Sequence, residues 1–495
     1  MTGFVEAARR EKLKELVDRG VAPFAYRFAR TATAQQALAA YRDDNDETSH
    51  ALAGRLVALR PHGKTTFAHL EDASGKIQLY FKGDELGPEM YGILELLDLG
   101  DHLGVEGRLM KTRTGEITVR VAKFTLLAKA LRPLPLGKED ASGVKHGELS
   151  APELRSRQRY ADLAVHAEVR EVFRLRSRIV QGIRAFLDRK GYLEVETPVL
   201  QPLYGGAMAL PFRTHYEALD TTFYLRIADE LYLKRCLVGG LEKVYEIGHD
   251  FRNEGLSRFH NPEFTMAEWY QAYADYNDMA ELTEEMLAGL VLQLFGGALL
   301  ERHGATLSFE RPFARKDYYG LVREHAGVDL TKASDSEMRA VLKRHKSPDA
   351  DELSGPKLVD EVFKTTVEPK LVQPTFVFDY PVALSPLAKP KRGDPTKVER
   401  WELFVQHREL ANAFSELNDP DEQRRRFEQQ AVFRAAGDAE AQQLDEDYLR
   451  ALEYGMPPAG GVGLGVDRLT MILADQTNIR DVILFPMLRP GSGPA

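Results

Sequence analysis

FRNEGLSRFHNPEFTMAEWY, residues 251–270, strings an arginine, an acid, an aromatic and a second acid along what reads as two strands joined by a polar loop. Side chains of a strand alternate faces, so Arg252 and Glu254 are expected on one side of the first strand. Phe264, Glu268 and Tyr270, each an even number apart, are expected on one side of the second. Presented together, these sides offer a guanidinium for phosphate, an acid for an exocyclic amine, an aromatic platform and a buried acid–phenol pair. The set suits a purine nucleotide lying next to a second, cationic ligand.

Upstream, 222–249 reads as strand, helix (DELYLKRCLVGG) and strand (KVYEIG). Before it, residues 168–190 carry Val169, Val172, Phe173, Leu175, Ile179, Val180, Ile183, Phe186 and Leu187 at three-and-four spacing, which predicts a long helix. It ends at Gly191 and runs into YLEVETPVL, an extended stretch closed by Pro198. Downstream comes a helical insertion near 277–370, strands at 375–380 and 400–417, and a glycine-rich strand and helix, GGVGLGVDRLTMIL. Strands flanked by helices without regular βαβ alternation predict an α+β domain on a mixed, mainly antiparallel sheet.

Nearer the N-terminus, 5–20 and 33–43 read as amphipathic helices, and from 51 to 125 the period changes to five strands, with Gly63, Gly75 and Gly115 in turns. A short helix is expected at 84–98, between the third and fourth strands. That is the layout of an OB-fold barrel. The stretch LRPLPLGKEDASGVKHGELS (131–150) has the prolines, glycines and charge of a linker. The expected domains are a helical extension (1–50), the barrel (51–130), the linker (131–150) and the α+β domain (151–495).

A chain of 495 residues exceeds one ordinary core, which fits this division. No apolar run is long enough to span a bilayer and no signal-peptide pattern opens the chain, so a cytoplasmic, non-membrane protein is expected. The single cysteine, Cys236, excludes an internal disulfide framework and a Cys-based zinc site. Net charge is −9; residues 1–150 hold 22 basic and 21 acidic side chains, a balance of +1, and the remainder carries −10. Charge therefore does not announce a polyanionic partner, and nucleic-acid contact must rest on local grooves.

There is no GxxxxGK[ST] loop, no GxGxxG opening a helix, no HExxH and no CxxC, so a nucleotide site is neither P-loop nor Rossmann. The 251–270 hairpin resembles motif 2 of the class II aminoacyl-tRNA synthetases, GYLEVETPVLQP (191–202) motif 1 and GLGVDRL (463–469) motif 3. More closely, the chain is similar to the bacterial lysyl-tRNA synthetases of class II, subclass IIb. The matching phrases include KALRPLP (129–135), YLRIADELYLKR (224–235), AYADY (272–276), SPLAK (385–389), FSELNDP (414–420) and RDVILFP. They run in order from the barrel almost to the end of the chain.

The resemblance implies a lysine–tRNA ligase: lysine and ATP give lysyl-adenylate, then lysine passes to the 3′ end of tRNA(Lys). It assigns Arg252 to the α-phosphate, Phe264 and Arg468 to the adenine, and Glu254, His260 and Asn261 to the same nucleotide pocket. Glu230 is implied for the α-ammonium of lysine, and Glu268 and Glu416 for its ε-ammonium. Tyr270, Asn412 and Phe414 line that pocket, and Gly206 leaves backbone room. Asn412, Phe414 and Glu416 are two apart, so one strand face presents all three. Glu402 and Glu409 are implied for Mg²⁺, which suits hard oxygen ligands. Being seven apart, they need a turn or bulge between them to share a face. In the barrel, Phe67 is implied to stack on an anticodon base, with Gln78 and Glu116 reading base edges and Arg60 on a phosphate. Alternation alone leaves Phe67 equally able to be barrel core. A homodimer with motif 1 at its interface is also implied.

Three departures stand out: Leu210 where many members have Arg, Gln406-His407 where small residues are usual, and a motif 2 loop holding Arg258 and Phe259. An aspartyl or asparaginyl enzyme of the same subclass should present a basic side chain to its substrate, where this chain offers Glu268 and Glu416. A protein-lysylating paralogue would lack the barrel. A catalytically silent tRNA-binding homologue would not need Arg252, Arg468 and the acids.

Overall fold

The computed structural model describes residues 2–42, 47–139, 145–348, 350–435 and 443–489. They pack as two compact units, Met1–Ala151 with Tyr160–Val165, and Pro152–Arg159 with His166–Ala495.

In the first unit, β1 (Ser49–His62), β2 (Thr65–Glu71), β3 (Lys76–Lys82), β4 (His102–Lys111) and β5 (Ile117–Ala128) close a barrel in the order β1-β2-β3-β5-β4. Strict alternation along β2 sends Thr66, Ala68 and Leu70 inward and leaves Thr65, Phe67 and His69 outside. Helices α1 (Thr2–Asp18) and α2 (Ala34–Ala40) contribute Leu16, Ala34 and Ala37 to the barrel core. Thr33 caps α2 in a reciprocal box with Gln36, satisfying amides that the helix start leaves without partners. The helix expected over 84–98 is broken into Gly83–Leu86, Pro88–Ile93 and Leu94–Leu96, because Gly87 takes φ +78° between the first two. The stretch expected as a linker contains two short paired strands, Leu136–Glu139 and Lys145–Glu148; residues 140–144 lie outside the described residues.

In the second unit one sheet holds β6 (Leu193–Glu194), β7 (Lys243–Phe251), β8 (Glu263–Ala272), β9 (Ala314–Asp317), β10 (Thr375–Phe378), β11 (Arg400–Val405), β12 (Arg408–Ser415) and β13 (Ala459–Gly465). Their order is β9-β10-β11-β12-β13-β8-β7-β6, with β6/β7 and β9/β10 parallel and the other pairs antiparallel. Helices α3 (Ala167–Arg189) and α5 (Tyr276–Phe295) cover one face. Ile183 and Leu187 of α3 and Leu287 and Leu290 of α5 join Trp269, Trp401 and Val462 in one core. The helical insertion expected near 277–370 is shorter than that: α5 packs on the sheet, Leu299–Arg302 pairs with Ala305–Ser308 and β9 joins the sheet. The inserted helices therefore lie between β9 and β10, where α6 (Gly355–Thr366) sets Leu358, Val362 and Phe363 against Val377 and Phe404. Among the described residues no helix is long and apolar enough to cross a membrane.

Odd-numbered residues of β8, Ala267 and Trp269, face the helices, so the even-numbered ones face the opposite side. That side carries the cavity. The motif 2 expectation needs one correction: β7 ends at Phe251, so Arg252 and Glu254 lie in the 252–262 loop and share no strand face. The chain turns there because Arg252 N donates to Pro262 O at 2.9 Å, the last pairing before the loop.

Candidate active site

A cavity of about 610 Å³ opens on the free face of the sheet, within the ~300–1,000 Å³ that small-molecule sites occupy. Phe264, Met266, Glu268 and Tyr270 come from β8, Glu402 from β11, Glu409, Asn412 and Phe414 from β12, and glycines from β13. Among those glycines Gly461 is a spatial requirement. A Cβ on Gly461 would sit 2.3 Å from both Glu416 Oε1 and Tyr270 Cε1. Gly206 has φ +89°, and a Cβ there would come within 3.2 Å of the Glu230 Cβ, so this wall tolerates only glycine.

At one end the Arg252 guanidinium lies 5.0 Å from the centre of the Phe264 ring. Arg468, from helix α7 (Val466–Leu473), donates to Glu409 O at 2.7 Å and to Glu409 Oε2 at 3.2 Å, with His260 Nε2 3.4 Å away. The cation over Phe264 is thus Arg252, and Arg468 faces Glu409 and His260. His260 Nδ1 is 2.8 Å from Ser257 Oγ, and burial, then Arg468, hold its imidazole below the ordinary range. Asn261 donates to Glu263 O at 2.5 Å while its Oδ1 is buried and has no donor among the described residues. That oxygen is a ready acceptor for an amine. Glu254 lines the exposed mouth.

The acidic end differs from expectation in one respect. Glu268 and Tyr270 line the cavity, and Tyr270 OH donates to Glu268 Oε2 at 3.2 Å. The expected shared strand face needs correction: β12 ends at Ser415, so Glu416 lies one residue beyond the strand of Asn412 and Phe414. It is fully buried behind the wall, where its carboxylate is ion-paired with Lys234 Nζ. Lys234, on helix α4 (Glu230–Val238), also binds Glu230 one turn back at 2.5 Å. Two uncompensated glutamates therefore do not stand side by side: Lys234 joins one of them. A carboxylate in low dielectric takes the nearest cation, and periodicity along one strand does not reveal a cation arriving from a helix. Glu268, by contrast, has no Lys or Arg partner among the described residues. Burial, then Asp229, Asp250 and Glu230, push its carboxyl well above the usual range.

Behind it, Arg226 Nη1 lies 2.7 Å from Asp229 and 2.6 Å from Glu246, and Arg226 Nε lies 3.4 Å from Asp250. Asp229, Glu230, Glu246, Asp250, Glu268 and Glu416 are all buried here, against two buried cations, Arg226 and Lys234. The excess of negative charge favours a cationic ligand at this end.

Glu402 and Glu409 both line the cavity. A two-residue turn at Gln406-His407 and an irregularity in register between Leu403 and Phe404 bring them to one side. Gln406 and His407 both take positive φ (+50° and +64°), and their amides donate to Val372 O at 2.9 Å and Leu371 O at 2.7 Å. Burial, then Glu409 against the relief from Arg400, lifts the Glu402 carboxyl to about 7. Two hard-oxygen donors that repel one another fit a divalent cation. Tyr380 OH donates to Glu402 at 2.7 Å, and Arg400 pairs with Glu402 and donates to Asn412 Oδ1 at 3.0 Å. Sequence reasoning missed Arg400, although it stands two residues from Glu402 and must share its face. It also missed Lys234, Arg226, Asp229 and Asp250, for which spacing carried no signal. Of the departures, Leu210 O accepts from Asn253 N at 2.7 Å, and Arg408 stacks over Phe259 at 4.6 Å.

On the outer face of the barrel, Phe67 is half-buried and outside the core, its ring 5.0 Å from that of Tyr80. Exposed Arg60 is its cross-strand neighbour. Gln78 Nε2 donates to Glu116 at 2.6 Å and Gln78 Oε1 accepts from Thr118 at 2.7 Å, leaving one amide hydrogen for a base. His69, not expected from sequence, sits 3.1 Å from Glu116.

The family described as tRNA synthetases class II (D, K and N) matches residues 151–489, and the OB-fold nucleic acid binding domain matches residues 51–127. The lysine–tRNA ligase of Carboxydothermus hydrogenoformans is 52% identical over 483 residues, 97% of this chain and 97% of its own. That of Moorella thermoacetica is 51% identical over 486 residues, 98% and 97% of the two chains. The lysine–tRNA ligase of Halalkalibacterium halodurans is 49% identical over 496 residues, 99% and 97%.

Proposed function

We infer the function from one premise: this chain belongs to the class II tRNA synthetases of the D, K and N group. Its activity is lysine–tRNA ligation, in which lysine and ATP give lysyl-adenylate and pyrophosphate and lysine is then joined to tRNA. The first unit takes the anticodon of tRNA(Lys) and the second performs the chemistry.

A lysine carboxylate oxygen forms a bond to the α-phosphorus as the bond to the pyrophosphate oxygen breaks. Arg252 holds the α-phosphate and stabilises its growing charge, with no covalent protein intermediate. Phe264, on one side, and Arg468, on the other, take the adenine, with Glu254, His260 and Asn261 on its edge. Glu268 and Glu230 meet the ammonium groups of lysine, Tyr270, Asn412 and Phe414 line its stem, and Gly206 makes room. Glu416 acts through Lys234, which fixes both Glu230 and Glu416. Glu402 and Glu409 would hold Mg²⁺, which when bound neutralises phosphate charge. In the barrel Phe67 stacks on a base, Gln78 and Glu116 read edges, and Arg60 meets a phosphate.

The observation that carries the lysine assignment is Glu268, a buried acid on the cavity wall with no cationic partner among the described residues. An aspartate substrate would need a free base at this end, and Arg226 and Lys234 are both held by acids. The barrel argues against a protein-lysylating enzyme. Exposed Leu193, Val199, Leu200 and Leu203 beside motif 1 support a homodimer through that face. The reaction brings ATP, lysine and tRNA together in the cytoplasm. Pyrophosphate exchange measured with each of the twenty amino acids tests the reading; exchange driven by an acidic or neutral amino acid in preference to lysine overturns it.

A further inference from the structure

Behind Glu268, off the cavity wall, stand two acids that the reaction above does not use. Asp229 precedes α4 and Asp250 lies near the end of β7, and neither has any exposure to solvent. An oxygen from each lies within 4.8 Å of the other and of a Glu268 oxygen. None of the four oxygens of Asp229 and Asp250 accepts a hydrogen bond from a described donor. Arg226 is near both, but it also contacts Glu246 and gives its Nε hydrogen to His249 O at 2.9 Å.

The groups facing the pair are Arg226, Glu246 and Glu268, with Arg252 beside Asp250; Glu230 and Tyr270 face Glu268 in turn. Acids outnumber bases in that set once Asp229 and Asp250 are included. Two carboxylates that face each other without a donor repel, and a proton between them supplies the missing donor. Burial, then Asp250, lifts Asp229 to about 9; burial, against Arg252 and Arg226, leaves Asp250 at about 6. Both shifts run in the direction that a proton held between two facing buried carboxyls requires, and the pair titrates as a unit.

We propose that Asp229 and Asp250 share one proton in the free enzyme and release it to solvent when a substrate ammonium reaches Glu268, so that lysine binding expels a proton. The arriving positive charge takes over the role the proton served beside the clustered acids Asp229, Asp250 and Glu268. The pair is thus a second negative layer that sharpens the preference for a cationic amino acid. This rests on the lysine reading above.

Isothermal titration of lysine into the full chain, in buffers of different ionisation enthalpy near pH 7.5, counts the protons directly. The expected release is ~0.5 to 1 per lysine, with affinity falling as pH falls, up to ~tenfold per unit. In Asp229→Asn and in Asp250→Asn lysine still binds, while release drops toward zero. Wild-type heat that is the same in every buffer overturns the proposal without any variant being needed. Undiminished release in both variants overturns it too, because the proton then resides elsewhere. Aspartate titrated in parallel separates the two readings. Heat from aspartate and none from lysine sinks the lysine assignment and this proposal with it, whereas lysine heat independent of buffer sinks the proton alone.

Discussion

Lys234 and Glu416 form an ion pair with neither side chain exposed to solvent, and Glu230 holds the other side of the same ammonium. The pair ties a helix to the sheet directly behind the cavity. Removing one partner of a buried pair strands the other. Lys234→Met is therefore expected to destabilise the protein by about 3–5 kcal/mol, seen as a lower urea midpoint. Adding Glu416→Gln should recover part of that loss in a double-mutant cycle; strictly additive effects would mean that the two groups do not interact.

Glu268→Gln keeps the shape of the wall and the Tyr270 contact but removes the acid facing the substrate. Lysine-dependent pyrophosphate exchange is expected to weaken at least about tenfold, about 1.4 kcal/mol, through the KM for lysine with that for ATP unchanged. Equal damage to both KM values would make Glu268 a structural acid.

The carboxyl pair behind it predicts a pH trend in stability. Asp229 and Asp250 are lifted to about 9 and about 6, above the ordinary carboxylate range. The folded state thus binds protons that the unfolded chain has already lost, and their contribution declines as pH rises from about 4 toward 9. Melting temperatures of wild type and Asp229→Asn from pH 5 to 9 should diverge in favour of the variant as pH rises. Parallel curves would refute the trend.

Phe67→Ala should spare exchange, which involves the second unit, while charging of tRNA falls by the worth of one stacked base, about 1–3 kcal/mol. Loss of both steps together would assign Phe67 to barrel integrity.

Glu409→Gln should raise the Mg²⁺ concentration that half-saturates exchange at least about tenfold, about 1.4 kcal/mol, with binding of lysine alone unaffected. An unchanged magnesium requirement would leave Glu409 only its contact with Arg468.

Much of the fold and of the site is legible in the sequence. Alternation along 263–272 placed Phe264, Glu268 and Tyr270 on one face, and three-and-four spacing gave the long helix at Ala167–Arg189. Such patterns are local: they record which side of an element meets the core. Arg252 and Glu254 escaped because the strand stops at Phe251, where backbone pairing with Pro262 closes the loop. Glu402 and Glu409 have opposite parity, and a turn with an irregular register reconciles them. The Lys234–Glu416 pair and the Asp229–Asp250 pair join residues from different elements, and no period within one element encodes such a meeting. Alternation leaves Phe67 open between core and surface, because one strand's period does not say which set faces inward; its buried neighbours Thr66, Ala68 and Leu70 decide it.

The Gln406-His407 tip has a further consequence. Side chains there accept a left-handed backbone because two amides are anchored on carbonyls of Leu371 and Val372, just past the helical insertion. Trimming that insertion to a short loop would set the tip free to relax, and the spacing between Glu402 and Glu409 would drift with it. The inserted helices thus serve as a brace for the far end of the sheet, and shortening them in an engineered enzyme would blunt its chemistry even with every cavity residue intact.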